Sequence, residues 1–337
     1  MNARLVAVLR YALGLGLGAG LLALAFRNVS WAELQGLVAQ VDPLWLAASL
    51  AVNLYSHWLR GWRWNLLLEA SGQRVATSHA FAAVLFGYMV NYAVPRLGEV
   101  SRCTILLRSD RVPLLTSGGT VVTERVIDVL VLLVFVGVVF LLEFDRLVAV
   151  LAPLVGGSAT ESTSKLPLLL GLVGVGLAFG GALLLTRRRW MAHPLAVRLL
   201  AAAGELLRSA TGVFRLRQPL RFGLLTVGIW AGYTLSSWLA MQALPATAGQ
   251  NLYLAFVIMA MGGIGMAVPS PGGIGSFHWA ITYTFVMFGL AQAAGNALAL
   301  LIHTPQLLVV SLSGGLSYLY LVLRARQQAG PAPSDAS

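Results

Sequence analysis

Three ionisable residues interrupt a long apolar segment in the motif T-E-R-V-I-D at residues 123–128. Glu124 and Asp128 are four residues apart and share one face of a helix, whereas Arg125 is rotated by about 100° from Glu124. Each such charge costs at least about 2.5 kcal/mol inside a bilayer, so it needs a partner or water. Two interpretations stay open. Either Arg125 pairs with a nearby acid and locks helices together, or these residues line a polar cavity for a lipid headgroup or a coupling proton.

A second group of charged residues follows a shorter apolar segment, in the motif N-Y-A-V-P-R-L-G-E-V-S-R at residues 91–102. Arg96 and Arg102 carry guanidinium groups, which can bind phosphate through two parallel hydrogen bonds, so they are candidates to hold a lipid phosphate at the cytoplasmic leaflet. The alternative is that both arginines only anchor the chain on the cytoplasmic side. Since that alternative does not account for an acid, we include Glu99, with Asn91, among the candidate binding residues.

A third motif, P-S-P-G-G-I-G-S-F-H at residues 269–278, is too rich in proline and glycine to form a regular helix. It is either a turn between two helices or the break of an interrupted helix, where exposed backbone N–H groups attract anions. Under the second interpretation the candidate binding residues are Ser270, Gly272, Gly273, Gly275 and His278.

The pattern A-V-P-x-x-G occurs twice, at residues 93–98 and 267–272, each time after a short apolar segment that contains glycine. The match is short enough to arise by chance in a chain of this composition. Paired interrupted segments in two halves of a chain are nevertheless typical of transporters built from inverted repeats, whose binding site lies between the breaks. The sequence is therefore compatible with an inverted-repeat architecture around a polar cavity.

The apolar segment 44–66 contributes further polar and aromatic side chains. Four of its polar residues are candidates to face the same cavity, namely Asn53, His57, Arg60 and Arg63. Three of its aromatic residues are interpreted as part of the belt that tryptophan forms at the membrane surface, namely Trp58, Trp62 and Trp64.

These motifs lie in a chain of 337 residues, of which 58% are hydrophobic and only 10% are charged. No soluble core could cover so much apolar surface, and the net charge of +11 comes from arginines between apolar runs rather than from a nucleic-acid-binding domain. The apolar segments are 5–26, 44–66, 76–94, 112–142, 166–186, 220–244, 251–268, 274–290 and 294–323. We predict an all-α, polytopic membrane bundle with about eight spanning helices and one or more re-entrant segments.

The arginines also predict the orientation, because cytoplasmic loops carry an excess of basic residues. Most arginines fall on one side if both termini are cytoplasmic and segment 76–94 enters and returns to that side. We therefore predict that 76–94 is re-entrant. Whether 251–268 and 274–290 span fully or are re-entrant stays open, as does cleavage of the first helix.

We predict one transmembrane domain over residues 1–326, in the cytoplasmic (inner) membrane. It includes an amphipathic cytoplasmic helix at about 190–217, and a disordered cytoplasmic tail follows at 327–337. The histidines are scattered and lack partners at ligand spacing, and the single lysine is not part of a phosphate-binding loop. We therefore expect neither a metal nor another cofactor.

The three motifs together resemble those of the flippase-like membrane family, also called the lysylphosphatidylglycerol synthase transmembrane region. The resemblance covers about residues 10–323 and implies a helical bundle with re-entrant pieces that binds or moves lipids. In bifunctional members a soluble aminoacyl-transfer domain follows this region. Because few residues follow the last apolar segment here, we expect no synthase activity. The motif positions that carry over are Asn91, Pro95, Arg96, Gly98, Glu99, Arg102, Glu124, Arg125, Asp128, Pro269, Pro271, Gly272, Gly273 and Gly275.

The leading hypothesis is a lipid translocase without enzymatic activity, in which arginines hold the headgroup phosphate and acids balance charge or carry a proton. The arginines in question are Arg96, Arg102 and Arg125, and the acids are Glu99, Glu124 and Asp128. The expected partners are membrane lipids, either anionic phospholipids or polyprenyl or glycolipids, and not nucleic acid. A separate lipid-modifying enzyme and a homo-oligomer are further possible partners. The alternatives are a membrane-embedded glycosyl or headgroup transferase, and a non-transporting lipid-binding partner of such an enzyme.

Overall fold

The structure, a computed structural model, describes residues 3–146 and 216–329, and every regular element among them is helical. The α-helices are α1 (Ala3–Phe26), α2 (Trp31–Val38), α3 (Pro43–Ala70), α4 (Thr77–Ala93), α5 (Leu97–Asp110), α6 (Leu114–Leu142), α7 (Pro219–Ala243), α8 (Leu252–Ala267), α9 (Ser276–Met287) and α10 (Gln292–Ala329). A short 3-10 turn, Pro271–Gly273, lies between α8 and α9. The predicted all-α class is confirmed.

The chain divides into two compact units. The first consists of Met1–Glu124 and Leu216–Ser337, and the second consists of Arg125–Arg215. The boundary falls within α6, immediately after Glu124. The contacts of the hairpins and of the arginine cluster below all lie in the first unit. The predicted apolar segment 166–186 and most of the predicted amphipathic helix at 190–217 lie outside the described residues.

Three described helices are long and apolar enough to cross a membrane, namely Leu114–Leu142, Pro219–Ala243 and Gln292–Gln327. A fourth span results if Ala12–Phe26 and Trp31–Val38, which are bent by 83° to each other, cross together. The total of about eight spans therefore stays a prediction. Helix α10 continues to Ala329, so the first residues of the segment that we expected to be disordered are helical.

Helices α4 and α5 form a tight antiparallel hairpin, called the first hairpin below. At its open end, the base, His79 Nδ1 lies 2.7 Å from Asp110 Oδ1. Near its closed end, the tip, Asn91 Oδ1 accepts a hydrogen bond of 2.7 Å from the backbone N–H of Gly98. The helices approach so closely that a Cβ atom on Gly98 would lie 2.0 Å from the Gly87 carbonyl oxygen. After segment 76–94 the chain turns back along a second helix, which the apolar pattern did not reveal. That the segment is re-entrant in the membrane stays a prediction.

Helices α8 and α9 form a second antiparallel hairpin of the same kind, with the Pro271–Gly273 turn at its tip. Gly265 faces the backbone of Phe277, because a Cβ atom there would lie 2.8 Å from the Phe277 Cα atom. Gly262, one turn closer to the base, faces the side chains of Phe277 and Ile281. Each A-V-P-x-x-G pattern thus reaches the tip of a helical hairpin.

Helix α10 shows how the two hairpins are arranged. Its first turn packs against the base of the second hairpin, where a Cβ atom on Gly295 would lie 2.9 Å from Phe285 Cβ. Further along, His303 Nε2 lies 2.8 Å from the carbonyl oxygen of Gly272 at the second tip. Near its end, Tyr320 packs against His79 at the base of the first hairpin. The hairpins therefore lie end to end along α10 and point toward each other.

The two tips meet near the middle of α10. A Cβ atom on Gly272 would lie 3.2 Å from Tyr92 Cδ1 and 3.7 Å from Tyr92 Cα. Gly272 has a φ of 59°, a conformation that glycine adopts without strain. Opposed hairpins that meet at their tips are compatible with the predicted inverted-repeat architecture.

Helix α3 packs between the first hairpin and α7. It runs antiparallel to α7, with a hydrogen bond of 2.8 Å from Ser49 Oγ to the Ser236 carbonyl oxygen. It also runs beside α4, where a Cβ atom on Gly61 would lie 2.6 Å from Phe81 Cα. The absence of a side chain at Gly61 lets the two backbones approach, as small residues do in membrane helix packing. This close packing sets the polar face of α3 beside the first hairpin.

Candidate functional site

A buried cluster of three arginines surrounds the carboxylate of Glu124. Arg60 Nη1 donates to Glu124 Oε1 at 2.9 Å, and Arg102 Nη1 donates to Glu124 Oε2 at 2.9 Å. Arg63 Nη2 lies 3.8 Å from Glu124 Oε1. All four side chains are at most 5% exposed. We call this group the arginine cluster.

Three separate helices supply the cluster. Arg60 and Arg63 are three residues apart on α3, so they lie on the same helix face. Arg102 reaches the cluster from α5, the return helix of the first hairpin, and Glu124 reaches it from α6. The cluster lies between the base and the tip of the first hairpin, because Arg102 packs beside Gly87 at mid-length of α4.

Trp64 holds the Arg102 side chain in a defined orientation. The guanidinium carbon of Arg102 lies 4.6 Å from the centroid of the Trp64 ring. The indole N–H of Trp64 donates a hydrogen bond of 2.9 Å to Thr120 Oγ1, which fixes the ring. Trp64 is fully buried, so its assignment to an aromatic belt at the membrane surface is wrong. Arg102 stacks on its face, a contact that sequence spacing did not show.

A chain of polar groups extends from the cluster along α3. Arg60 Nε donates to the Tyr233 hydroxyl at 3.3 Å, and that hydroxyl lies 3.4 Å from His57 Nδ1. The His57 ring packs against Tyr88 of the first hairpin, with ring centroids 4.9 Å apart. The structure therefore places Arg60 and Arg63 beside Glu124 and links His57 to Arg60 through Tyr233, for which the sequence gave no signal. That these residues face a cavity stays a prediction.

The candidate residues of the second motif serve different roles in the first hairpin. Arg102 belongs to the arginine cluster. Asn91 joins the two helices, and its Nδ2 donates to Glu99 Oε1 at 3.4 Å. Arg96 is exposed at the tip, with a φ of 67°. It therefore lies at the opposite end of the hairpin from Arg108, which is near the base.

Asp128 and Arg125 interact in the second compact unit. Arg125 Nη1 lies 3.9 Å from Asp128 Oδ2, and the Arg125 side chain is 37% exposed. This contact is an ion pair within α6, and both interpretations of Arg125 stay open. The carboxylate of Glu124 accepts hydrogen bonds from Arg60 and Arg102.

The third motif forms the tip of the second hairpin. Ser270 Oγ and Ser276 Oγ lie 2.7 Å apart, and both residues are buried. Gly273 and Gly275 have φ values of 75° and 86°, which side chains rarely adopt. A turn of this kind between two helices was one of the two interpretations that the sequence left open.

Aromatic rings surround His278 at the second tip. His278 is buried and packs against His303, with ring centroids 5.0 Å apart, and against Phe26, at 6.3 Å. Gly275 packs against α1, since a Cβ atom there would lie 1.8 Å from the Gly18 carbonyl oxygen. The candidate binding residues His278 and Gly275 therefore lie in the packed tip of the second hairpin and not beside the carboxylate of Glu124.

The chemistry of the arginine cluster is that of oxyanion binding. Three guanidinium groups lie within 4 Å of one carboxylate, and guanidinium binds carboxylate and phosphate with the same geometry. The cluster lies in a hairpin bundle whose described helices include spans of membrane length. These features define a helical membrane protein with a buried, arginine-rich polar site.

Comparison with known proteins places the chain within this class. The family model of the lysylphosphatidylglycerol synthase TM region matches residues 11–314, and the chain belongs to that family. The chain is also similar to a protein of Haloferax volcanii named Glycosyltransferase AglD, with 23% identity over 329 residues. The match covers 89% of this chain and 52% of that relative, so the chain spans about half of the relative's length. No solved structure matches the chain.

Proposed function

We propose that this protein moves a lipid with a phosphate-bearing headgroup between the leaflets of the membrane, and that the arginine cluster binds that phosphate. The observation that carries the proposal is the convergence of Arg60, Arg63 and Arg102 on the buried Glu124 carboxylate. A charged headgroup cannot cross hydrocarbon cheaply, because its oxygens lose water without gaining hydrogen bonds. Guanidinium groups inside the bundle would replace those lost hydrogen bonds.

The opposed hairpins support movement rather than binding alone. Their tips meet beside α10, and the arginine cluster lies alongside the first hairpin, between its base and its tip. In inverted-repeat transporters one repeat moves relative to the other around a site near the midplane, which opens the site to each side in turn. We propose that displacement of the two tips opens the path of the headgroup.

The charges at the two ends of the first unit support an orientation with the base of the first hairpin in the cytoplasm. Exposed arginines gather at that end, in the loops and helix ends around the hairpin base, namely Arg74, Arg108, Arg111, Arg217, Arg221, Arg324 and Arg326. Among the described residues of this unit, the basic residue near the opposite end is Arg27. By the positive-inside rule, we propose an inner-membrane protein whose α10 ends in the cytoplasm.

The similarity to a protein named a glycosyltransferase favours one alternative. In that case this chain would itself transfer a sugar or headgroup to a lipid, or would bind the lipid for a separate enzyme. Incubation of the purified protein with labelled lipids separates these functions. A new covalent product indicates a transferase, whereas a change of leaflet without a chemical change indicates a translocase.

A leaflet-exchange assay tests the proposal. Proteoliposomes carry fluorescent phosphatidylglycerol, and a membrane-impermeant reductant bleaches the outer leaflet while exchange is followed over time. The variant Glu124→Asp keeps the charge but shortens the side chain, so it cannot reach Arg60 and Arg102 together. We expect exchange at least about tenfold slower, the factor that 1.4 kcal/mol produces.

The matched control is Glu33→Asp, an exposed acid in the first turn of α2. It should exchange lipid as fast as the wild type. Wild-type rates in a folded Glu124→Asp variant would contradict the role of the arginine cluster. A wild type that exchanges no lipid faster than empty liposomes would contradict the translocase proposal itself.

A further inference from the structure

Arg102 uses only one of its three side-chain nitrogens in the ion pair of the arginine cluster. Its Nη1 donates to Glu124, whereas Nε and Nη2 are buried and have no hydrogen-bond acceptor among the described residues. The residue as a whole is 2% exposed. A buried donor without an acceptor is costly, so two such donors on one guanidinium need an explanation.

The geometry of the guanidinium group determines what these two donors can bind. The Nε–H and Nη2–H bonds are parallel and lie on the same edge of the planar group, and this edge matches two oxygens of a phosphate or carboxylate. Stacking on Trp64 fixes the plane of the Arg102 group, and the bond to Glu124 fixes its rotation within that plane. The edge is therefore held in one orientation before any ligand arrives.

We infer that the Nε–Nη2 edge of Arg102 is a bidentate site for one phosphate oxyanion. In this arrangement Glu124 keeps its bond to Nη1 and acts as a positioning residue that the phosphate does not displace. The inference rests on the proposed function, which it deepens by naming the atoms that hold the headgroup. The same chemistry would accept a lipid phosphate or free inorganic phosphate, so the test must separate the two sources.

Access to this edge requires movement of the first hairpin or its neighbours. Both nitrogens are shielded from solvent, and Arg102 packs closely on α4, where a Cβ atom on Gly87 would lie 3.3 Å from Arg102 Cβ. Occupation of the edge is thus coupled to the position of the hairpin that carries it. A lipid bound there would link headgroup recognition to hairpin movement.

Lipid binding to the full-length protein tests the inference. Native mass spectrometry measures binding of three probes, which are phosphatidylglycerol, a neutral two-chain glycolipid without phosphate, and inorganic phosphate. The variant Arg102→Lys keeps the positive charge and a donor for Glu124 but lacks the two-donor edge. We expect it to bind phosphatidylglycerol at least about tenfold more weakly than the wild type. Binding of the neutral glycolipid should not change.

The matched control is Arg108→Lys, an exposed arginine of the same helix, which should bind phosphatidylglycerol like the wild type. A second measurement observes the wild-type protein itself. In wild-type protein with ¹⁵N-labelled arginine, the Nε–H resonance of Arg102 should move when phosphatidylglycerol is added and stay in place with the neutral glycolipid. The missing signal in Arg102→Lys assigns this resonance.

The results distinguish a site for lipid phosphate, a site for free phosphate and the absence of an oxyanion site at Arg102. Displacement of phosphatidylglycerol by equimolar inorganic phosphate would keep the oxyanion site but overturn its assignment to a lipid. Equal lipid binding by Arg102→Lys, or an Arg102 resonance that does not move, would overturn the inference. In that case, leaflet exchange by the wild type would still uphold the proposed function, which fails only if the wild type exchanges no lipid.

Discussion

The substitution Glu124→Gln separates the charge of this residue from its shape. In the wild type, Oε1 faces Arg60 and Arg63, and Oε2 faces Arg102. A glutamine has one carbonyl oxygen and one NH₂ group. Whichever way the amide is turned, its NH₂ group points at one or more guanidinium groups, so a donor meets a donor. The change therefore removes a charge and breaks hydrogen bonding on at least one side.

The expected loss of stability is large. Removal of one partner from a buried ion pair costs about 3–5 kcal/mol, because the remaining charge stays buried without compensation. Here three arginines depend on the same carboxylate, and all of them are at most 5% exposed. We expect the free energy of unfolding to fall by about 3–5 kcal/mol in Glu124→Gln.

Equilibrium unfolding by sodium dodecyl sulfate in mixed micelles measures this loss. The control Glu33→Gln changes an exposed acid in the first turn of α2 and should cost less than about 1 kcal/mol. A double-mutant cycle with Arg102→Gln adds a second criterion, because the arginine substitution should cost less when Glu124 is already glutamine. If Glu124→Gln costs no more than Glu33→Gln, the carboxylate does not hold the cluster together and our reasoning is refuted.

Two further predictions concern the first hairpin and the contact between the tips. Gly98→Ala places a methyl group 2.0 Å from the Gly87 carbonyl oxygen and should lower the free energy of unfolding by about 1–3 kcal/mol. The control Gly119→Ala should not lower it, because no atom of the described residues would lie within 4 Å of the new methyl group. Equal stability of the two variants would contradict the close packing of α4 and α5. The double variant Tyr92→Cys, Gly272→Cys should form a disulfide, because a Cβ atom on Gly272 would lie 3.7 Å from Tyr92 Cα. This disulfide should stop leaflet exchange until a reductant is added. Exchange at full rate in the crosslinked protein would show that the tips need not separate.

The sequence predicted the apolar helices well because lipid selects long apolar runs. Segment 220–244, for example, corresponds to Pro219–Ala243 in the structure. The same rule failed for α5, which carries four charged residues and was not recognised as a helix. This helix packs against other helices, with Arg102 and Asp110 bound by protein groups. Hydropathy measures transfer into lipid, so it cannot identify a helix whose polar groups are satisfied by protein.

The cluster itself was only partly predictable. The cost of a buried charge identified Glu124 as a residue that needs a partner, whereas Arg102 was a candidate because guanidinium binds phosphate. The partners come from helices distant in sequence, since Arg60 is 64 residues from Glu124. Only the packing of α3 against the first hairpin decides that they meet. Trp64 was misassigned because helical spacing shows which residues share a face but does not show what covers that face.

The central claim is that the protein carries phosphate-bearing lipids across the membrane, and leaflet exchange by the wild type tests it most directly. The comparison uses phosphatidylglycerol and a neutral two-chain glycolipid in otherwise identical proteoliposomes. The account predicts rapid exchange of phosphatidylglycerol and exchange of the neutral glycolipid at the rate of empty liposomes. Equal acceleration of both lipids would contradict the role of the arginine cluster in recognition, and acceleration of neither would contradict translocation.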